Sequence, residues 1–120
     1  MSEARHSARI VLTTAGSPEE ARRIARTLVE ERLAACTSIV PAIESIYRWK
    51  GEVESATEAL LLIKTSAETI EPLKARLHAL HSYETPEFLV LPVDSGSAAY
   101  LDWLFSSLRA EQDQAQIPSP

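Results

Sequence analysis

A chain of 120 residues, 45% hydrophobic and 24% charged, has the composition of one globular domain that folds without disulfides or a structural metal. Its net charge of −5 comes without a basic stripe, which excludes nucleic acid as a partner, and its longest apolar run, Ala59 to Ile63, is far too short to span a membrane. A single cysteine, Cys36, rules out an internal disulfide. With no apolar leader-like run between Met1 and Arg9, the expected compartment is the reducing cytoplasm.

Residues 1–8 read as a loose polar arm and 111–120 as a polar tail, leaving 9–110 as the folded domain. Arg9 to Thr14 is a short β-type run. Ser17-Pro18-Glu19-Glu20 follows as a helix start, with Ser17 at the N-cap, Pro18 at the first position and Glu20 completing a capping box. Ala21, Ile24, Ala25, Leu28, Val29 and Leu33 continue at helical spacing. Cys36 to Trp49 is extended in character, interrupted by Pro41, which predicts a bulge or a break. Lys50-Gly51 is a two-residue hairpin turn and Val53 to Thr65 the return strand. Ser66 or Thr69 is expected to cap a second helix carrying Ile70, Leu73, Leu77 and Leu80, with Pro72 confined to its first turn. Glu87 to Val93 is a further strand. Ser97 to Arg109 is a last helix with Leu101, Leu104, Phe105 and Leu108 on one face. The order β-α-β-β-α-β, plus a C-terminal helix, predicts an α+β ferredoxin-like split βαβ sandwich with two helices on one sheet face.

Two features argue against a monomer. Leu60 to Ile63 and Phe88 to Leu91 are apolar without alternation, so both faces of those strands need cover, and two helices cover only one. Cys36 to Trp49 fully extended spans about 45 Å, whereas a compact domain of this length is about 35 Å across. The hairpin tip, with Tyr47 and Trp49, therefore overhangs its own domain and needs a partner subunit to dock on.

Several segments together resemble the CutA divalent-cation tolerance family. They are Glu31-Arg32-Leu33-Ala34-Ala35-Cys36 with Ile39-Val40-Pro41, Ser45-Ile46-Tyr47-Arg48-Trp49-Lys50-Gly51, Glu58 with Leu62-Ile63-Lys64-Thr65, and His81-Ser82-Tyr83-Glu84-Thr85-Pro86-Glu87. Leu91-Pro92-Val93 and Tyr100-Leu101-Asp102-Trp103-Leu104 complete the likeness, which runs from Ile10 to Arg109. The resemblance implies a homotrimer whose long hairpins cross subunit boundaries, and a role in tolerance of divalent metals, copper among them. It implies no established reaction. In some members of that family copper binding is ascribed to a cysteine near the end of the first strand and to a paired histidine. Here Thr13 holds the first place and Leu80-His81 the second, and Ser82 replaces the family's usual proline.

The candidate chemistry follows from these residues. His78 and His81 stand three apart at the end of the second helix, the spacing at which two imidazoles can share a transition metal, and also the place where the helix dipole favours histidine. Tyr47, Trp49, Glu58, Lys64, Tyr83 and Glu84 form a polar-aromatic set suited to a small anionic ligand in an intersubunit cleft, or equally to a plain interface. Cys36 reads as a small buried residue rather than a ligand. No phosphate loop, Cys-x-x-Cys or hydrolase motif is present. The expected function is a non-catalytic homotrimer of the metal-tolerance type, requiring no cofactor and binding copper or another divalent ion weakly. The alternative is a PII-like trimeric sensor with a small molecule between subunits.

Overall fold

The computed structural model describes residues 7–109. Four strands, Ala8–Ala15 (β1), Cys36–Trp49 (β2), Glu52–Ser66 (β3) and Leu89–Pro92 (β4), form one antiparallel sheet in the order β2-β3-β1-β4. The helices are Pro18–Glu30 (α1), Ile70–Leu80 (α2) and Ala98–Ser106 (α3). This is the split βαβ arrangement expected from the sequence.

The β1–β3 register sorts the sheet into two faces. Val11, Thr13 and Ala15 lie opposite Ile63, Leu61 and Ala59, all fully buried. Ile24 and Leu28 of α1 and Leu73 and Leu77 of α2 complete this core. The alternate positions Ile10, Leu12 and Thr14 lie opposite Lys64, Leu62 and Leu60, and Leu91 and Leu89 pair with Ile10 and Leu12 on the same side. That second face carries an apolar stripe in which Leu89 and Leu91 are about half exposed. α3 docks through Leu104, and Leu108 just past its end joins it, on Ala35.

Local signals explain most of the element ends. Ser17 has extended backbone and its hydroxyl accepts the Glu20 N–H at 3.1 Å, with Pro18 inside the first turn. α1 stops earlier than the apolar spacing suggests. Arg32 adopts a left-handed φ of 61°, Leu33 N–H returns to the Leu28 carbonyl and Arg32 N–H to that of Val29. This is a Schellman ending built without glycine. Leu33 is therefore buried from beyond the helix, and Val29, expected on the apolar face, is 39% exposed. Neither Ser66 nor Thr69 caps α2. Their hydroxyls bond to each other at 2.7 Å, and a single 3-10 turn, Ala67–Thr69, leads in instead, with Pro72 in the first turn of the helix.

Pro41 makes a bulge rather than a break. The β2–β3 pairing skips between Val40 and Ile43 and then runs on to Trp49 opposite Glu52. Lys50 and Gly51 both take positive φ, 52° and 83°, which turns the ribbon in two residues. The molecule reaches 48 Å along its longest axis, and Ile46, Tyr47, Trp49 and Val53 near the ribbon tip are 41–69% exposed. The Lys50 ammonium lies 5.7 Å from the Trp49 ring centre.

The first strand begins one residue earlier than expected. Ala8 is buried in β1, and the Ser7 carbonyl accepts the Ala67 N–H, so the expected arm shortens at its inner end. The remainder of that arm and the tail 111–120 lie outside the described residues. The fully buried Leu61 tests the core: Leu61→Ala should lower unfolding free energy by about 2–5 kcal/mol in a urea titration. A change within about 0.5 kcal/mol would mean the register is wrong.

Candidate functional site

The densest polar constellation sits where β1 gives way to α1, beside the loop between α2 and β4. Glu20, at the third position of α1, holds the two loops together. Its carboxylate accepts the Gly16 N–H at 3.3 Å, the Ser82 N–H at 2.8 Å and the Ser82 hydroxyl at 3.0 Å. The carboxylate thus reaches across 62 residues of sequence instead of closing the capping box on Ser17. Burial pushes the Glu20 carboxyl up, but the Ser82 and Gly16 hydrogen bonds and the nearby His81 outweigh it, so Glu20 titrates below the usual 4.5.

His81 lies beneath this bracket with no side-chain exposure. Its Nε2 is 2.7 Å from the Thr14 carbonyl and its Nδ1 accepts the Tyr83 N–H at 3.0 Å. A carbonyl only accepts and an amide only donates, so the ring is neutral with its proton on Nε2. The Tyr83 ring packs 4.7 Å from the imidazole, and its hydroxyl donates to Glu58 Oε2 at 2.8 Å. Burial, and then the Glu58 carboxylate, raise the Tyr83 hydroxyl well above its ordinary value, so it stays a donor. Burial and Glu58 together also raise the carboxyl of Glu87. The Tyr83 ring packs over the loop at Gly16, where an added Cβ would meet the Tyr83 hydroxyl at an ordinary contact distance of 3.4 Å.

The structure divides the residues expected to form one ligand set. Glu58 and Tyr83 meet, and Tyr47 lies in the same neighbourhood. Lys64 does not join them. It lies six residues along β3 from Glu58, about 20 Å away at the strand rise. There its ammonium donates to Ser38 Oγ at 2.5 Å and lies 3.8 Å from Cys36 Sγ. Trp49 is exposed at the ribbon tip and Glu84 is exposed on its loop. Cys36 is half-buried beside this cation rather than enclosed in the core.

Nor does the fold bring His78 and His81 together as a chelating pair. Both nitrogens of His81 are engaged inside the protein, whereas His78 is exposed with Nδ1 2.9 Å from the Lys74 carbonyl. Thr13, standing in the place of the cysteine ligand, is fully buried on the helix-covered face, and its hydroxyl has no partner among the described residues. Among the described residues no three histidine, cysteine, aspartate or glutamate side chains are grouped to hold a metal ion. The residues present therefore do not fit a preformed metal centre within one chain. Sequence reasoning saw Glu20 only as a capping carboxylate and passed over Gly16. No periodic signal marks a contact with Ser82, although acceptor, small residue and donor were all in view.

Residues 9–107 match the family model described as CutA1 divalent ion tolerance protein. The chain belongs to the CutA family. It is 55% identical over 95 residues to the divalent-cation tolerance protein CutA of Thermus thermophilus, spanning 79% of this chain and 92% of that one. It is 45% identical over 100 residues to the chloroplastic protein CutA of Arabidopsis thaliana, of whose length it spans 55%. The solved Thermus thermophilus Cut A1 structure superposes with a TM-score of 0.83 at 51% identity, covering 85% of this chain and 99% of that chain.

The Glu20 bracket predicts an acid-dependent loss. Its folded-state value lies below the unfolded one, so its contribution is complete above the usual carboxylate range and disappears as pH falls through the folded value. Glu20→Gln should lower stability by about 1–2 kcal/mol at neutral pH. The gap to wild type should then narrow on acidification below the ordinary carboxylate value of 4.5. Denaturant melts across pH would show it, and a gap that widens in acid would refute the bracket.

Proposed function

We propose that this CutA-family chain works as a non-catalytic homotrimer in tolerance of divalent cations, copper in particular. What carries the assembly reading is the uncovered apolar side of the molecule. Leu89 and Leu91 face away from the helices, and the ribbon holds Ile46, Tyr47, Trp49 and Val53 clear of their own core. Covering such surface with a second copy removes it from water at roughly 25 cal/mol per Å². An aromatic residue such as Trp49, seated across a subunit boundary, is the usual kind of anchor.

The tolerance role rests on family membership, and the site geometry bounds how metal is held. With His81 committed internally, the exposed His78 imidazole is the best soft donor on this surface. One imidazole with scattered carboxylates binds weakly and follows the usual affinity order, Cu²⁺ above Zn²⁺. The sensor alternative has no observation in its favour: within the subunit only Glu58 and Tyr83 of its proposed set are joined by a hydrogen bond. The chloroplastic relative from Arabidopsis thaliana places one such protein outside a cytoplasm, so an unpaired Cys36 does not fix the compartment of this chain.

Light scattering after chromatography should give three times the 13.2 kDa chain mass at micromolar concentration. Trp49→Ala should weaken assembly by about 2 kcal/mol or more, while Arg22→Ala, on the exposed side of α1, should leave it unchanged. A stable monomer would overturn the assembly reading. Calorimetric titration should find weak Cu²⁺ binding that is largely lost in His78→Ala, and tight stoichiometric binding in that variant would place the metal elsewhere. Growth of a deletion strain in excess copper, with and without this chain, tests the tolerance role itself.

A further inference from the structure

A buried imidazole with one donating and one accepting contact has no vacant position for a second proton. His81 is in that state, with Nε2–H on the Thr14 carbonyl and Nδ1 filled by the Tyr83 N–H. A proton added at Nδ1 would point at an amide hydrogen, and both cannot occupy the same line. The nearest acceptor is already in place, because Glu20 Oε2 lies 3.6 Å from Nδ1. We propose that His81 is a proton-operated latch on the loop between α2 and β4. Protonation at Nδ1 displaces the Tyr83 N–H, draws the ring toward Glu20 and frees Tyr83 from Glu58.

The surroundings define what the latch works against. From α1 it faces Glu20, with the Arg23 guanidinium 3.9 Å from the same carboxylate oxygen. From β1 it meets the Thr14 carbonyl, which both protonation states satisfy through Nε2–H. From its own loop it meets Tyr83, whose hydroxyl carries the contact to Glu58 of β3. His78, in the last turn of α2, is turned to its own helix at Lys74. Glu20 remains ionised well below neutrality, so it is available as the new acceptor throughout the span in which an imidazole gains its proton. Its shift toward His81 competes with the Ser82 hydrogen bonds, so Ser82 and Tyr83 move as a unit. The moving contact ends on Glu58, the β3 residue opposite Ile43 just past the bulge, where the overhanging ribbon begins. The latch therefore links proton uptake at the end of α2 to the root of the ribbon.

The test is a magnetic-resonance titration of ¹⁵N-labelled full-length protein from about pH 8 to about pH 5. The His81 ring nitrogens should report the Nε2–H tautomer at the alkaline end. On acidification the ring and the Tyr83 amide should shift with one shared midpoint. Exchange of the Tyr83 amide hydrogen, referenced to the buried Leu61 amide, should accelerate on the order of tenfold as its acceptor is lost. Glu20→Gln should move the shared midpoint to lower pH, because it removes the charge that receives the new proton. The opposite tautomer, a Tyr83 amide that ignores the His81 transition, or an unmoved midpoint in Glu20→Gln would each overturn the latch. Should that variant not fold, the wild-type titration decides alone through the tautomer and the coupling.

Discussion

Strand β1 is paired with β3 without interruption from Ala8 opposite Ser66 to Ala15 opposite Ala59, and that register governs the rest of the molecule. Side chains alternate faces along a strand, so a slip of one residue would exchange the two sides of the sheet. In the observed register Val11, Ala15, Leu61 and Ile63 meet the helices, while Leu12, Leu60 and Leu62 turn away. The same register sets Thr14 where its carbonyl receives His81, and Glu58 where Tyr83 can reach it. Core, exposed apolar face and polar constellation are thus three consequences of one pairing.

Much of this was legible because it is written in local chemistry. Ser17-Pro18 starts a helix through one hydroxyl and one fixed dihedral, and Lys50-Gly51 turns a ribbon because glycine accepts positive φ. The apolar runs around Leu61 and Val90 announced a sheet with two faces to cover. What failed was also local in cause. Arg32 ends α1 in a conformation that sequence patterns assign to glycine, so the helix was read three residues too long, to Leu33. Ser66 and Thr69 are good caps by residue type, yet each spends its hydroxyl on the other.

The site was legible in composition and not in geometry. Tyr83 and Glu58 were named together and do meet. Lys64 belongs to the same matched motifs as Glu58 and Tyr83, but six residues of strand rise carry it away from Glu58 to Ser38. The family likeness and the spacing to His78 both suggest His81 as a ligand. Helical spacing reports where a side chain starts, and the chain past Leu80 is already extended, which turns His81 inward to Thr14. The Glu20 to Ser82 contact has no one-dimensional trace at all, since it joins two loops brought together only by the packing of α1 and α2 on the sheet.

Strand β2 is the outer edge of the sheet, and a long open edge invites unlimited addition of further strands. Pro41 has no amide hydrogen, and with Ala42 it steps out of the ladder, so the edge is divided into two shorter stretches, Cys36 to Val40 and Ile43 to Trp49. A flat strand laid along β2 cannot keep register across that step. The bulge therefore separates two properties that usually travel together. The ribbon keeps its apolar side chains exposed while its backbone resists templating a fibril, so exposed surface and strand-by-strand growth are uncoupled.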